Sequence, residues 1–437
     1  MGAGDSVDGR SLDGAGAFAE HPLRDAAVNE LHARPFELIS TPRIVHHFAA
    51  LCAEDDVARD IAAIRALCAD AGLPAPPADA RHIRLDVDGW HLRWERHTEF
   101  CSHTWHARPA GEGASGEVTG PPLDRLPVAG QALVAVRLDL VADDLDADAL
   151  AVRFDPSSLC LSLVEDGAAR MSTDFKIGPD RLTRILIENR TLGAAAAGQL
   201  VQRVLEIETY RSLALLGFPE AVAAGPEISR IERELTRITV AMNEAQGLDE
   251  DHALLKRLTF LAAELEAQTS AMSFRLGAGR AYHHLVDARL ANIAETAVSG
   301  HRTWTAFLAR RMMPAMRTSR TVEERQEALS QRLSRAANLL RTRLDVERAN
   351  QNSQLLTSMD RRARLQLRLQ QTVEGLSVAA VSYYVVGLIG YLVKGSEELG
   401  VRLPPHLVTA AAVPVVVLSV WLLVRRIRRA HVPDGGP

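Results

Sequence analysis

The chain has 437 residues, 47% of them hydrophobic, with a formal charge of −5 and a pI near 6.3, a length that accommodates two or three domains. The mild net charge hides an asymmetry: from His301 onward there are 20 Arg and one Lys against ten Asp/Glu, which leaves the first 300 residues at about −16. A basic excess beside apolar runs, without interleaved aromatics, argues against nucleic-acid binding and for contact with anionic lipid; four scattered cysteines without a CxxC pair argue for reduced cytosolic thiols.

Residues 1–20 have no basic n-region and no apolar h-region, so they read as a disordered leader and not as a signal peptide. Residues 21–178 are expected to form an α/β domain. Its first segment, Asn29–Phe36, is dense in functional side chains; His32 and Arg34 are candidates for binding an anion, with capping and salt bridging as the alternative. The spacing of Ile44, Phe48, Leu51, Val57, Ile61, Ile64 and Leu67 predicts a helix over 43–71. Ile83, Leu85 and Val87 alternate with polar residues, Asp88-Gly89 suits a type I′ turn, and Trp90, Leu92 and Trp94 alternate again, which predicts a hairpin. Residues 99–104 continue or add a strand, and 107–130 form a Gly/Pro-rich loop. In that loop Gly111–Gly116 matches GxGxxG, but it precedes no predicted helix and closes no βαβ unit, so it is not read as a dinucleotide site. A strand over 132–141 and a second hairpin, 158–164 with 169–176, complete an antiparallel or mixed sheet.

From residue 179 the pattern turns helical. Helices are predicted over 179–190, 194–216, 226–244, 254–298 and 304–313, and 179–320 is read as a helical domain. Residues 321–372 form a stalk helix without Gly or Pro between 322 and 371. Leu329, Leu333, Ala336, Leu340 and Leu344 mark an apolar stripe, resumed by Leu355, Met359, Leu365 and Leu369. Continued to residue 393, this helix runs for ~70 residues and ~105 Å, and it needs a partner along its stripe, supplied most simply by self-association.

Two uncharged apolar runs follow, Gly375–Val393 and Leu407–Val424, each about the length that crosses a hydrocarbon core. The first transmembrane helix is placed at 373–393, an external loop at 394–406, the second transmembrane helix at 407–424 and a basic tail at 425–437. Arg361, Arg362, Arg364 and Arg368 before the pair, and Arg425, Arg426, Arg428 and Arg429 after it, place both termini in the cytoplasm of a bacterial inner membrane. Ser377, Tyr384 and Tyr391 share one face of the first span, and Gly375, Ser382 and Gly390 fall on roughly the other side. With Gly387 these are candidates for lining a pore or packing helices.

Chemistry-bearing constellations are sparse. No P-loop, HExxH or GxSxG occurs. His82, His91, His97, His103 and His106 crowd one sheet region with Cys101. Of these, His91, His97 and His103 share parity and are weak metal candidates, converging only if the chain folds back between them. No cofactor is expected, and an enzyme is the weakest reading.

Four segments, NELHARPF (29–36), WERHTEF (94–100), LEIETYRSLALLG (205–217) and the run 367–395, resemble an uncharacterised bacterial family of predicted membrane-anchored proteins, a domain of unknown function. In layout the chain also resembles CorA-type divalent-cation channels: a cytosolic α/β domain, a long stalk helix, two spans and a short outer loop. Their Gly-Met-Asn motif is replaced here by Gly390-Tyr391-Leu392-Val393-Lys394-Gly395. The expectation is therefore an α+β cytosolic domain, a helical or coiled-coil stalk and a transmembrane hairpin, acting as an oligomeric membrane-anchored scaffold or sensor. Its partners would be the bilayer and further copies of itself. CorA-like passage of a cation is the alternative, and a membrane-tethered enzyme the second.

Overall fold

The computed structural model describes residues 21–25, 28, 36–108, 120–142, 144–245, 247–397 and 404–431. His32 and Arg34 lie outside them. The chain divides into two compact units, Met1–Val240 with Arg257–Arg335, and Ala241–Lys256 with Ala336–Pro437.

The first unit is built on a nine-stranded sheet. Its strands are β1 (Arg43–Leu51), β2 (His82–Val87), β3 (Trp90–Arg96), β4 (Phe100–Ala107), β5 (Gln131–Val141), β6 (Cys160–Val164), β7 (Ala169–Ile177), β8 (Thr183–Asn189) and β9 (Thr296–Ala297), in the order β2-β3-β4-β1-β5-β8-β7-β6-β9. All neighbours pair antiparallel except β5 and β8, so the sheet is mixed. The β2–β3 turn has positive φ at Asp88 (51°) and Gly89 (80°), the two left-handed residues a type I′ turn requires.

Three stretches predicted helical are strands; the shortest is β9, Thr296–Ala297, at the end of the helix expected over 254–298. Arg43–Leu51 is β1, and the helix α1 begins only at Glu54 and ends at Asp70. The run Ile-Val-His-His-Phe is β-branched and aromatic, and residues 44–50 are buried without a break, as a central strand with both faces covered requires. Thr183–Asn189 is β8, where Ile185, Leu186 and Ile187 are buried in succession for the same reason. Periodicity alone does not separate short apolar runs of these two kinds. The sheet thus takes in residues beyond 178.

Among the described residues six further helices follow: α2 (Ala147–Arg153), α3 (Ala194–Leu215), α4 (Gly217–Glu244), α5 (Leu248–Asn292), α6 (Trp304–Glu397) and α7 (Pro405–His431). The predicted break between 313 and 322 is absent, because Pro314 sits inside the continuous helix α6. One sheet face packs on α1 through Ile44, Phe48, Leu92, Trp94, Trp105, Ile61 and Ile64. The other packs on α3, the end of α5 and the start of α6 through Val45, Val136, Leu138, Ile185, Leu200, Val204, Leu290 and Trp304.

In the second unit Arg343 of α6 donates to the carbonyls of Met242 (2.8 Å) and Ala245 (2.7 Å) at the end of α4, and pairs with Asp251 (3.0 Å) at the start of α5. One guanidinium so satisfies two carbonyls that the helix end leaves open. Residues 345–372 of α6 are all exposed, including Leu355, Met359, Leu365 and Leu369.

Candidate functional site

Alternation along β3 and β4 sorts side chains onto two faces. Leu92, Trp94, Cys101, His103 and Trp105 point to the α1 side; His91, Arg93, Glu95, Ser102, Thr104 and His106 point to the other. Across the β3–β4 ladder His91 lies opposite His106, Arg93 opposite Thr104 and Glu95 opposite Ser102. The β2–β4 end of the second face is therefore polar where its β1–β5–β8 half is apolar.

Glu37, from the segment leading into β1, closes over this polar row. The segment is fixed by Ile39 N–H donating to Ala194 O (3.0 Å). It passes so close to α3 that a Cβ at Gly198 would sit 1.7 Å from the Glu37 carbonyl oxygen, which explains the glycine. His91 Nε2 and His106 Nε2 lie 3.2 and 3.0 Å from Glu37 Oε1 and Oε2, and Arg84 Nε is 3.3 Å from Oε1. Burial opposes the charge on Glu37, but hydrogen bonds from His106 and His91, with Arg93 nearby, hold its carboxyl far below the usual range. Since an ionised carboxylate only accepts, both Nε2 atoms donate. His91 Nδ1 donates to Asp86 Oδ1 (2.7 Å), and its two acceptors, Glu37 first, raise its pKa. His106 Nδ1 is buried without a hydrogen-bond partner among the described residues.

Beside this cluster β1 contributes His47, which is buried between the sheet and α3. His47 Nδ1 is 2.9 Å from Thr104 Oγ1, and Nε2 is 3.0 Å from Thr209 Oγ1. Thr209 spends its hydroxyl proton on Leu205 O (2.9 Å), so it accepts from Nε2–H, and Nδ1 accepts from Thr104. The ring is held neutral: burial, then Arg93, push its pKa down to about 3. His47, Arg93, Glu95, His97, Ser102 and Thr209 border a cavity of about 40 Å³. That is room for a few waters, and not for an organic substrate.

A second cluster lies on the opposite face. The Cys52 and Cys101 thiols and the Asp60 carboxylate fall within 4.8 Å of one another. Asp60, fully buried, accepts from Trp94 Nε1 (2.9 Å) and Ala129 N–H (3.1 Å), and His103 Nε2 is 3.3 Å away. Contact with Cys101 lowers the Cys52 pKa, and the same contact raises that of Cys101. All four cysteines are free; Cys52 alone is partly exposed.

The three histidines grouped by parity do not come together. The tight turn after β3 reverses the count, so His91 meets His106. His97 stacks on Phe100 (4.0 Å), and His103 faces Asp60 on the other side. Pairing the two strands about Thr98-Glu99 would have put His91 opposite His106. No sequence signal marked Glu37.

In the hairpin of α6 and α7 the outcome is also divided. Ser382 is buried, and Gly390 approaches Thr409 Oγ1, where an added Cβ would lie 3.9 Å away. Gly375 and Gly387 have open space around them. Gly387, Gly390 and Tyr391 line a groove of about 580 Å³ with Lys394, His406 and Thr409. Ser377, whose hydroxyl donates to Val373 O (2.9 Å), is exposed, as are Tyr384 and Tyr391. Both helices are long and apolar enough to span a membrane, and their outward residues, such as Leu376 at 72% and Leu392 at 73% exposure, have no cover among the described residues.

No curated protein and no solved structure matches the chain. One family profile, described as a protein of unknown function (DUF3422), matches residues 19–431. With nearly the whole sheet unit, the long helices and the apolar hairpin inside that match, the chain belongs to the DUF3422 family of proteins of unknown function.

Proposed function

We propose that this chain is a membrane-anchored sensor: an oligomeric inner-membrane protein with two spans and both termini in the cytoplasm, whose sheet unit binds a ligand at the polar face of β2–β4. The observation that carries the anchoring is the bare apolar surface of Gly375–Val393 and Leu407–Val424. Leaving so many large side chains in water costs roughly 25 cal/mol per Å² of apolar area, and lipid removes that cost. Self-association is supported by the exposed Leu355, Met359, Leu365 and Leu369. Tyr383 and Tyr384 support it too. They sit mid-span at 78% and 72% exposure, and a hydroxyl facing lipid without a partner is expensive. The cavity beside His47, about 40 Å³, supports a small ligand and not an organic one at this face.

The test is fractionation without detergent, followed by bismaleimide cross-linking of Leu365→Cys, in a chain that also carries Cys52→Ser, in membranes. The protein is expected in the carbonate-resistant pellet, with cross-linked species present. Release into the supernatant overturns the anchor, and cross-links absent at every stalk position overturn the oligomer. Ion passage is the second reading, favoured by Ser377 and Tyr384, polar side chains exposed on the first span, and by Tyr391 in the groove it shares with α7. Proteoliposome flux that a bulky substitution at Ser377 abolishes would replace sensing by conduction.

A further inference from the structure

We infer that Glu37, His91 and His106 form a binding site for one divalent first-row transition-metal ion; this rests on the sensor reading above and names the class of its ligand. Three donors of the types such ions take, two imidazole nitrogens and a carboxylate, come from three separate pieces of chain: the segment before β1, β3 and β4. Their ligand atoms all lie within 4.8 Å of one another. The two Nε2–carboxylate separations, 3.0 and 3.2 Å, match the ~3.0–3.5 Å edges of a coordination polyhedron with bonds of ~2.0–2.2 Å. Both imidazoles approach through the same atom, Nε2, which gives up its proton as the ion binds: His91 releases one to solvent and keeps Nδ1–H on Asp86, and the His106 proton passes to solvent or to Nδ1. The far side of His91 is held by Asp86, the carboxylate–histidine arrangement that orients metal-bound imidazoles. Glu37 is 12% exposed and His106 8%, so water competes weakly for the site, while His91 at 25% and Arg84 at 44% leave an entrance.

A mixed nitrogen and oxygen set suits zinc, cobalt, nickel or iron(II) better than magnesium or calcium, which prefer oxygen alone. Arg84 sets the resting state. Its guanidinium holds Glu37 when no ion is there and must yield when one enters, and its charge repels the ion throughout. An ordinary ion-pair network would share these contacts, but it predicts no binding of a free metal and no gain on removing Arg84.

The experiment uses the full chain in detergent, treated with chelator and titrated with Co²⁺ and then Zn²⁺. One Co²⁺ per chain is expected, with visible ligand-field absorbance and no near-ultraviolet thiolate band, displaced by Zn²⁺. Glu37→Gln and His91→Gln should each weaken binding at least ~100-fold, and Asp86→Asn ~10–100-fold. Arg84→Ala should tighten it about tenfold, since one repelling charge near a divalent ion is gone. Misfolding cannot mimic that gain, so the proposal stays testable if the ligand variants fold poorly. Cys52→Ser should leave binding unchanged. No bound Co²⁺, a thiolate band, or loss of binding in Cys52→Ser overturns the inference and leaves the anchor standing. Repeating the Leu365→Cys cross-linking with and without Zn²⁺ separates the two readings: Zn²⁺ bound with cross-link yield unchanged upholds the metal site and counts against sensing.

Discussion

His47 makes the sheet unit sensitive to acid, and the size of the effect follows from where it sits. The ring is neutral, sealed between Thr104 of β4 and Thr209 of α3, with a pKa of about 3 against 6.5 for a free histidine. Because the folded value lies below the unfolded one, the unfolded chain takes up the proton first as pH falls. Stability is complete above pH ~6.5 and declines toward pH ~3 at about 1.4 kcal/mol per unit. Between pH 7.5 and 5 the loss from this one ring is about 2 kcal/mol. His46, on the other face, is pushed down to about 4 by burial and Arg137 and contributes a similar loss over the same interval. The assay is denaturant unfolding of the full chain in detergent, followed by the fluorescence of Trp90, Trp94 and Trp105, which are all buried in the sheet. His47→Gln cannot titrate, so its stability should fall by about 2 kcal/mol less than wild type between pH 7.5 and 5, whatever its value at pH 7.5. Equal losses in the two proteins would refute a neutral, desolvated His47.

Three other outcomes follow from the packing. Gly198→Ala places a Cβ against the Glu37 carbonyl and should destabilise the sheet unit by about 1–3 kcal/mol, measured by the same unfolding assay, while weakening Co²⁺ binding. Arg343→Ala leaves the Met242 and Ala245 carbonyls and the buried Asp251 without their cation; protease cleavage at the α4–α5 turn should accelerate, with a loss of about 1–3 kcal/mol. With a small maleimide on the native protein, Cys52 should react well before Cys68, Cys101 and Cys160, because it alone is partly exposed and its thiol is the one with a lowered pKa. Mass spectrometry of the labelled peptides checks this, and prior reaction at Cys101 would contradict it.

The sequence was most legible where one signal dominated. The β2–β3 hairpin was marked by Asp88-Gly89 between two alternating runs, and both apolar helices were marked by the absence of charge. It was least legible for strands buried on both faces. Arg43–Leu51 and Thr183–Asn189 show no alternation, so their periodicity carried no strand signature, and only the pairing partners on either side decide them. The helix expected over 304–313 and the stalk expected over 321–372 are one helix, α6, which runs through Pro314. The candidate site was half visible. The histidines of β3 and β4 stood out, but their grouping depended on a turn that resets the face count. Glu37 belongs to the site through the path of a loop, which local composition does not encode.

Topology is the most direct test of the central claim. In spheroplasts of cells expressing the chain, a membrane-impermeant maleimide should label Ser396→Cys in the connection between the spans and spare Gly435→Cys in the tail until the membrane is opened. Labelling of the tail cysteine in sealed spheroplasts, or protection of both positions, would contradict a two-span protein with its ends on the cytoplasmic side.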